Sequence, residues 1–289
     1  MPLVNAVEVS RKALEGKYAI AQINTNNLEW TKAILLTAEK CKSPVIVGAS
    51  EGAIKYMGGF NVVSSLVSSM VKDLNISVPV ILHLDHGTYE GCKKALEANF
   101  SSVMFDGSHF PFEENYQKSK EIIELATAKG VSVEVEVGTL AGEEDGVMGL
   151  GNQADVNECV KISELKPTLL AAGIGNMHGP YPPNWKGLNL KLLEEISNAT
   201  KAPLVLHGGT GIDDETITKA ISLGVTKINV NTELQMRFAA ETRKYVEAGK
   251  DQDMKAKGFD PRKLLAPGYQ GILDVIETKF KLFGSVNKA

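Results

Sequence analysis

The chain has 289 residues, 43% of them hydrophobic and 23% charged, with a formal net charge of −4. That size suits one large globular domain, expected to span residues 1–289. A mildly acidic balance without a basic, aromatic-interleaved stripe argues against nucleic-acid partners, and no apolar run approaches the ~20 residues that cross a bilayer.

The opening residues, MPLVNAVEVS, have neither the basic region nor the apolar region of a secretory signal. Cys41, Cys92 and Cys159 lie far apart and in no metal or redox spacing, so they read as free thiols, buried or incidental. A cytoplasmic setting is expected.

In chain order, the first predicted strand is YAIAQIN (18–24), followed by the helix-like LEWTKAILLTAEKC. SPVIVGAS (43–50) and VPVILHLD (78–85) are the second and third strands, and YEGCKKALEAN is a helix after the third. SSVMFDG (101–107) precedes the helical NYQKSKEIIELATAKG, and VSVEVEVG (131–138) is the fifth strand. A Gly-rich, acidic insertion, TLAGEEDGVMGLGNQADVNE, separates it from the sixth, TLLAAGIG (168–175). A second insertion, NMHGPYPPNWKGLNLK, and the helical LKLLEEISNAT lead to PLVLHGG (203–209), and DETITKAISLG leads to KINVNT (227–232). A long helix then runs to about Ala248, and the tail DPRKLLAPGYQGILDVIETKFKLFG reads as additional C-terminal helices. Eight strands alternating with helices predict an α/β fold, a (β/α)8 TIM barrel. A doubly wound open sheet is the alternative, but QINTNN after the first strand is not the Gly-rich phosphate loop that fold usually carries. Insertions of this length are usually functional lids or disordered.

In a barrel, chemistry sits at the C-terminal ends of the strands. All five histidines fall at or near such ends: His83 and His86, His109, His178 and His207. Three on separate strands, His86, His178 and His207, suit a zinc site with an open position, and each is followed by glycine. Alternation puts Ile81, His83 and Asp85 on one face, and Ser132, Glu134 and Glu136 on another, opposite a run of valines. The valines are expected to pack on helices, so the acids point into the barrel. His83 is then placed to meet Glu134 as a supporting residue rather than a ligand. Because Asp85 and His86 are adjacent, the strand must bend or end there for both to reach one site. LHGGTGI and INVNTE, after the seventh strand and in the eighth, suit the phosphate-binding position of barrels. No lysine stands at the C-terminal end of a predicted strand; Lys227 opens the eighth, at the other end.

The segments LHLDHG, VMFDGSHFPFEENYQKSKEI, VEVEVGTLAGEEDGV, GNMHGPY, LVLHGGTGI and KINVNTE together resemble the class II, zinc-dependent fructose-1,6-bisphosphate aldolases. The likeness is greatest to the shorter bacterial branch, which is similar to the tagatose-bisphosphate aldolases, and it covers essentially the whole chain. It implies a homodimeric or homotetrameric lyase of glycolysis acting on a sugar bisphosphate. It implies zinc on His86, His178 and His207, with Asp106 and Glu136 around a second divalent position, and a monovalent cation nearby. Asp85 matches the acid/base for the C4 hydroxyl. Glu144 matches a carboxylate that moves a proton at the dihydroxyacetone phosphate carbon. Gly179, Gly208, Gly209, Thr210, Asn229, Asn231 and Thr232 match the dihydroxyacetone phosphate site. Ser50 and Arg262 match the other phosphate site, the arginine reaching across from a neighbouring subunit, and Asn24 lies near the substrate hydroxyls. The family commonly has lysine four residues after its second zinc histidine. Here Pro182 stands there, with Lys186 further on. Asn231 favours the fructose substrate, since tagatose-type members read NVAT there.

Overall fold

A computed structural model describes residues 3–144 and 147–289, with side chains for all of these except 143–150. Among the described residues ten strands form, and eight of them, all parallel, close a barrel. These are β1 (Ile20–Asn24), β2 (Val45–Ser50), β3 (Val80–Gly87), β4 (Ser102–Phe105), β5 (Ser132–Val137), β8 (Leu169–Ala172), β9 (Leu204–Leu206) and β10 (Val225–Val230). Each lies at an expected position, with helices between them, so the fold is a (β/α)8 barrel. The first insertion contributes an antiparallel pair, β6 (Ala141–Glu144) and β7 (Val147–Leu150), where a long loop was expected. Its Asp145 and Gly146 lie outside the described residues.

The valine face of β5 packs outward as expected: Val133, Val135 and Val137 join Ile122 and Ala126 of the preceding helix in one apolar cluster. Several outer helices start directly at the strand ends. Asn27, Ser50, Thr88 and Asp213 each accept a backbone N–H with the side chain, capping the helices they precede. The closing helix Ala266–Leu282 packs on Leu28–Cys41 and Thr232–Glu247. Among the described residues no helix is long and apolar enough to cross a membrane.

A helix not foreseen, α1 (Val7–Gly16), closes the bottom of the barrel. Its Val9 and Ala13, with Ala6, share a second apolar cluster with Ile20, Ile46, Ile81, Met104, Leu169 and Val205 from inside the barrel. Val4 N–H donates to Val80 O at 3.0 Å and Ala6 N–H to Ser132 Oγ at 2.9 Å, both acceptors at the starts of strands. Only Val9, Ser10 and Ala13 are buried along α1, too sparse an apolar stripe to announce a helix in the sequence.

Above this apolar layer the interior turns polar: Gln22, His83, Glu134 and Lys227 are each fully buried. The last strand begins two residues earlier than expected, so Lys227 is its third residue and not its first. Its Nζ faces Glu134 Oε2 at 2.8 Å, and His83 Nε2 lies 3.6 Å from the same oxygen. Taking these charges out of water is costly, and removing one partner strands the other. Lys227→Met is therefore expected to lower stability by about 3–5 kcal/mol, read as a fall in the denaturant midpoint. A midpoint equal to the parent's would show that Glu134 does not need the lysine.

Candidate active site and metal centre

At the C-terminal end of β3 the backbone turns. His86 has φ 46°, in the left-handed region that side-chain-bearing residues seldom adopt, and the pairing with β4 shifts register between Leu84 and Gly87. The turn sends two consecutive side chains, Asp85 and His86, toward the same space. Of the glycines that follow the three histidines, Gly179 and Gly208 take positive φ, 79° and 69°. Gly87 serves close packing instead, since a Cβ there would sit 2.7 Å from Met104 O.

His86 and His207 face each other, Nε2 to Nδ1, at 2.9 Å. Each has its remaining nitrogen on a carboxylate: His86 Nδ1 on Asp106 Oδ2 at 2.8 Å and His207 Nε2 on Glu134 Oε1 at 2.8 Å. A carboxylate on one ring nitrogen fixes the tautomer and leaves the other nitrogen's lone pair free to bind a metal. One ligand atom from each of His86, His178 and His207 falls within 4.8 Å of the others. The same holds for His86, Asp106 and Glu136. Glu136 is 1% exposed, and among the described residues neither of its carboxylate oxygens has a hydrogen-bond partner, a state that a cation would relieve. Burial raises its pKa and the nearby Asp106 raises it further. Burial disfavours a charged His86, yet its bond to Asp106 and the charges of Asp85, Asp106 and Glu136 raise its pKa. This spot attracts positive charge, and the donor set, neutral imidazoles and carboxylates, fits a divalent metal.

Asp85 is 1% exposed. Its two oxygens accept from Asn24 Nδ2 at 2.9 Å and Asn229 Nδ2 at 3.1 Å. Burial would raise its pKa, but His86, His207, Lys227 and His83 together hold it below the usual carboxylate range. It is thus kept as the base form. His83 meets Ser102 Oγ at 2.8 Å through Nδ1, and burial, then Lys227, press its pKa down to about 3. It is a neutral, internal hydrogen-bonding residue.

A cleft of about 230 Å³ opens beside these groups, lined by Asn24, Asp85, His178, Gly179, Gly208, Thr210, Asn229, Asn231, Thr232 and Gln235. Two loop residues that the sequence did not single out shape it. Asn176, 2% exposed, donates to His207 O at 3.1 Å. Tyr181 donates its hydroxyl proton to Gly208 O at 2.9 Å and accepts Met177 N–H at 3.2 Å, tying the His178 loop to the His207 loop. Gln235 is a third residue missed; it stands on the first turn of the helix Thr232–Glu247.

Several expected site residues are not brought to the cleft. Gly209 is not among its lining residues, and its N–H is spent on Asn229 O at 3.0 Å. The Ser50 hydroxyl accepts Ala53 N–H at 3.3 Å as a helix cap. Arg262 is exposed and pairs with Asp260 of its own chain at 2.6 Å. Lys186 is also absent from the lining. The backbone of Glu144 ends β6, but its side chain lies outside the described residues.

The family described as "Fructose-bisphosphate aldolase class-II" matches residues 4–288. A fructose-bisphosphate aldolase of Mycoplasma genitalium is 58% identical over 287 residues, covering 99% of this chain and 100% of that protein. One of Streptococcus pyogenes is 49% identical over 293 residues, covering both chains fully. Among solved structures, the YdjI aldolase from Escherichia coli K12 is 32% identical, with a TM-score of 0.85 and 99% of each chain covered. A fructose-bisphosphate aldolase from Campylobacter jejuni is 25% identical, with a TM-score of 0.87, covering 100% of this chain and 97% of that one.

Proposed function

The chain belongs to the class II fructose-bisphosphate aldolase family, and from that premise we propose that it catalyses reversible, zinc-dependent cleavage of fructose 1,6-bisphosphate to dihydroxyacetone phosphate and glyceraldehyde 3-phosphate. As a member it is a lyase, and the family acts on sugar bisphosphates. The observation that carries the finer reading is the convergence of three imidazoles beside a buried carboxylate in the base form.

In this reading His86, His178 and His207 hold the zinc ion, and Asp106 and Glu136 serve a second divalent position. Bound there, the metal supplies Lewis-acid stabilisation of the charge left beside a ketone when a carbon–carbon bond breaks. Asp85 takes the C4 hydroxyl proton at a carboxylate oxygen, which its depressed pKa leaves unprotonated. Glu144 moves a proton at the dihydroxyacetone phosphate carbon, from a hairpin beside the cleft. Gly179, Gly208, Thr210, Asn229, Asn231 and Thr232 hold the dihydroxyacetone phosphate half. Ser50, together with Arg262 from a neighbouring copy, holds the other phosphate in a homodimer or homotetramer of the cytoplasm. Asn231 Oδ1 is buried at the edge of the cleft without a hydrogen-bond partner among the described residues. It is a free acceptor for a substrate hydroxyl, and it supports the fructose substrate over tagatose 1,6-bisphosphate.

Chelation should abolish cleavage, and added Zn²⁺ should restore it, with kcat/KM higher for fructose than for tagatose bisphosphate in a coupled assay. A preference for the tagatose substrate would exchange the substrate and leave the chemistry. Chelator-resistant turnover with a borohydride-trapped adduct would replace the metal by an amine mechanism.

A further inference from the structure

Gln22 has no part in the chemistry above, yet it sits in the middle of β1, fully buried, where an aliphatic side chain would pack at less cost. Its Nε2 donates to Asn24 Oδ1 at 3.2 Å, while its Oε1 is buried with no hydrogen-bond partner among the described residues. The neighbouring strand makes room for it. A Cβ on Gly48 would fall 2.6 Å from Gln22 Nε2 and 2.8 Å from its Cδ, so the glutamine lies directly against a position that only glycine leaves open. Two residues are thus given over to a single hydrogen bond.

That bond sets the direction of a chain. A carboxylate only accepts, so Asp85 Oδ2 requires the NH2 of Asn24, at 2.9 Å. The Asn24 oxygen must then point the other way, down the strand, and Gln22 supplies the donor that holds it there. On the far side Asn229 Nδ2 grips Asp85 Oδ1 at 3.1 Å. We infer that Gln22, seated over Gly48, is a positioning residue that locks the amide of Asn24 and so aims the carboxylate of Asp85 at its substrate. The inference rests on the reading of Asp85 as the proton carrier.

Gln22→Met keeps the volume and removes the donor. In the zinc-loaded protein it is expected to lower kcat by roughly 10- to 100-fold, the scale of a displaced reacting group, with KM, metal content and Tm unchanged. In protein labelled with 15N at asparagine, the side-chain NH2 signal of Asn24 should shift or broaden. Gly48→Ala, which displaces Gln22, should reproduce the loss in kcat, and should have no further effect in a Gln22→Ala background where the space is free. A kcat within twofold of the parent, an unmoved Asn24 NH2 signal, or additive effects of the two substitutions would overturn the inference. So would a parallel fall in kcat, metal content and Tm, which would make Gln22 merely structural. If the parent protein itself turns over no bisphosphate, the proposed reaction falls, and the Asn24 signal still decides whether Gln22 holds that amide.

Discussion

His207→Ala is expected to cost both bound metal and activity: less than stoichiometric zinc by elemental analysis, and kcat down by about 10³-fold or more. The size follows from what the residue holds together. His207 is 1% exposed, with Nε2 on Glu134 and Nδ1 turned to His86 at 2.9 Å. Under the proposed function, its loss removes one of three zinc ligands, and with it several kcal/mol of Lewis-acid stabilisation, each 1.4 kcal/mol being about tenfold in rate. It also leaves Glu134 with one partner fewer, so Tm should fall too. Stoichiometric zinc with parental kcat in this variant would put the metal centre elsewhere.

Asp85→Ala separates chemistry from metal binding. Zinc should remain near stoichiometric, because the three imidazoles are intact, while kcat falls by about 10²- to 10⁴-fold, the range for a lost general base. KM should change little by comparison. The residue is suited to this test because its carboxylate has no metal-directed partner among its hydrogen bonds: both oxygens are held by amides, Asn24 and Asn229. If the variant keeps parental kcat, another group takes the proton.

Much of this was legible in the residues themselves. The eight strands announced themselves as short apolar runs, and the alternation of valine and glutamate in 131–138 told which face of the fifth points inward. The proximity of Asp85 and His86 required a bend, and His86 at φ 46° is that bend. What the sequence hid depends on long-range meetings. Lys227 looks like an ordinary strand-opening lysine until the barrel closes and brings Glu134 to 2.8 Å. Gln22 looks like a polar residue in an apolar run, and Gly48 like a flexible one; only their contact across β1 and β2 gives either a purpose. Tyr181 and Asn176 lie in a loop whose path no periodicity predicts. Arg262 and Ser50, singled out by resemblance, have local partners within one chain.

The helix across the bottom of the barrel has a consequence for how such a protein can change over generations. It encloses an apolar layer, Ile20, Ile46, Ile81, Met104, Leu169 and Val205, that shares strands with the chemistry but none of its atoms. Substitutions there tune thermal tolerance through packing alone, while the loops at the opposite rim are free to explore new substrates. The two ends of one barrel can thus answer to separate selective pressures, climate at the floor and diet at the mouth.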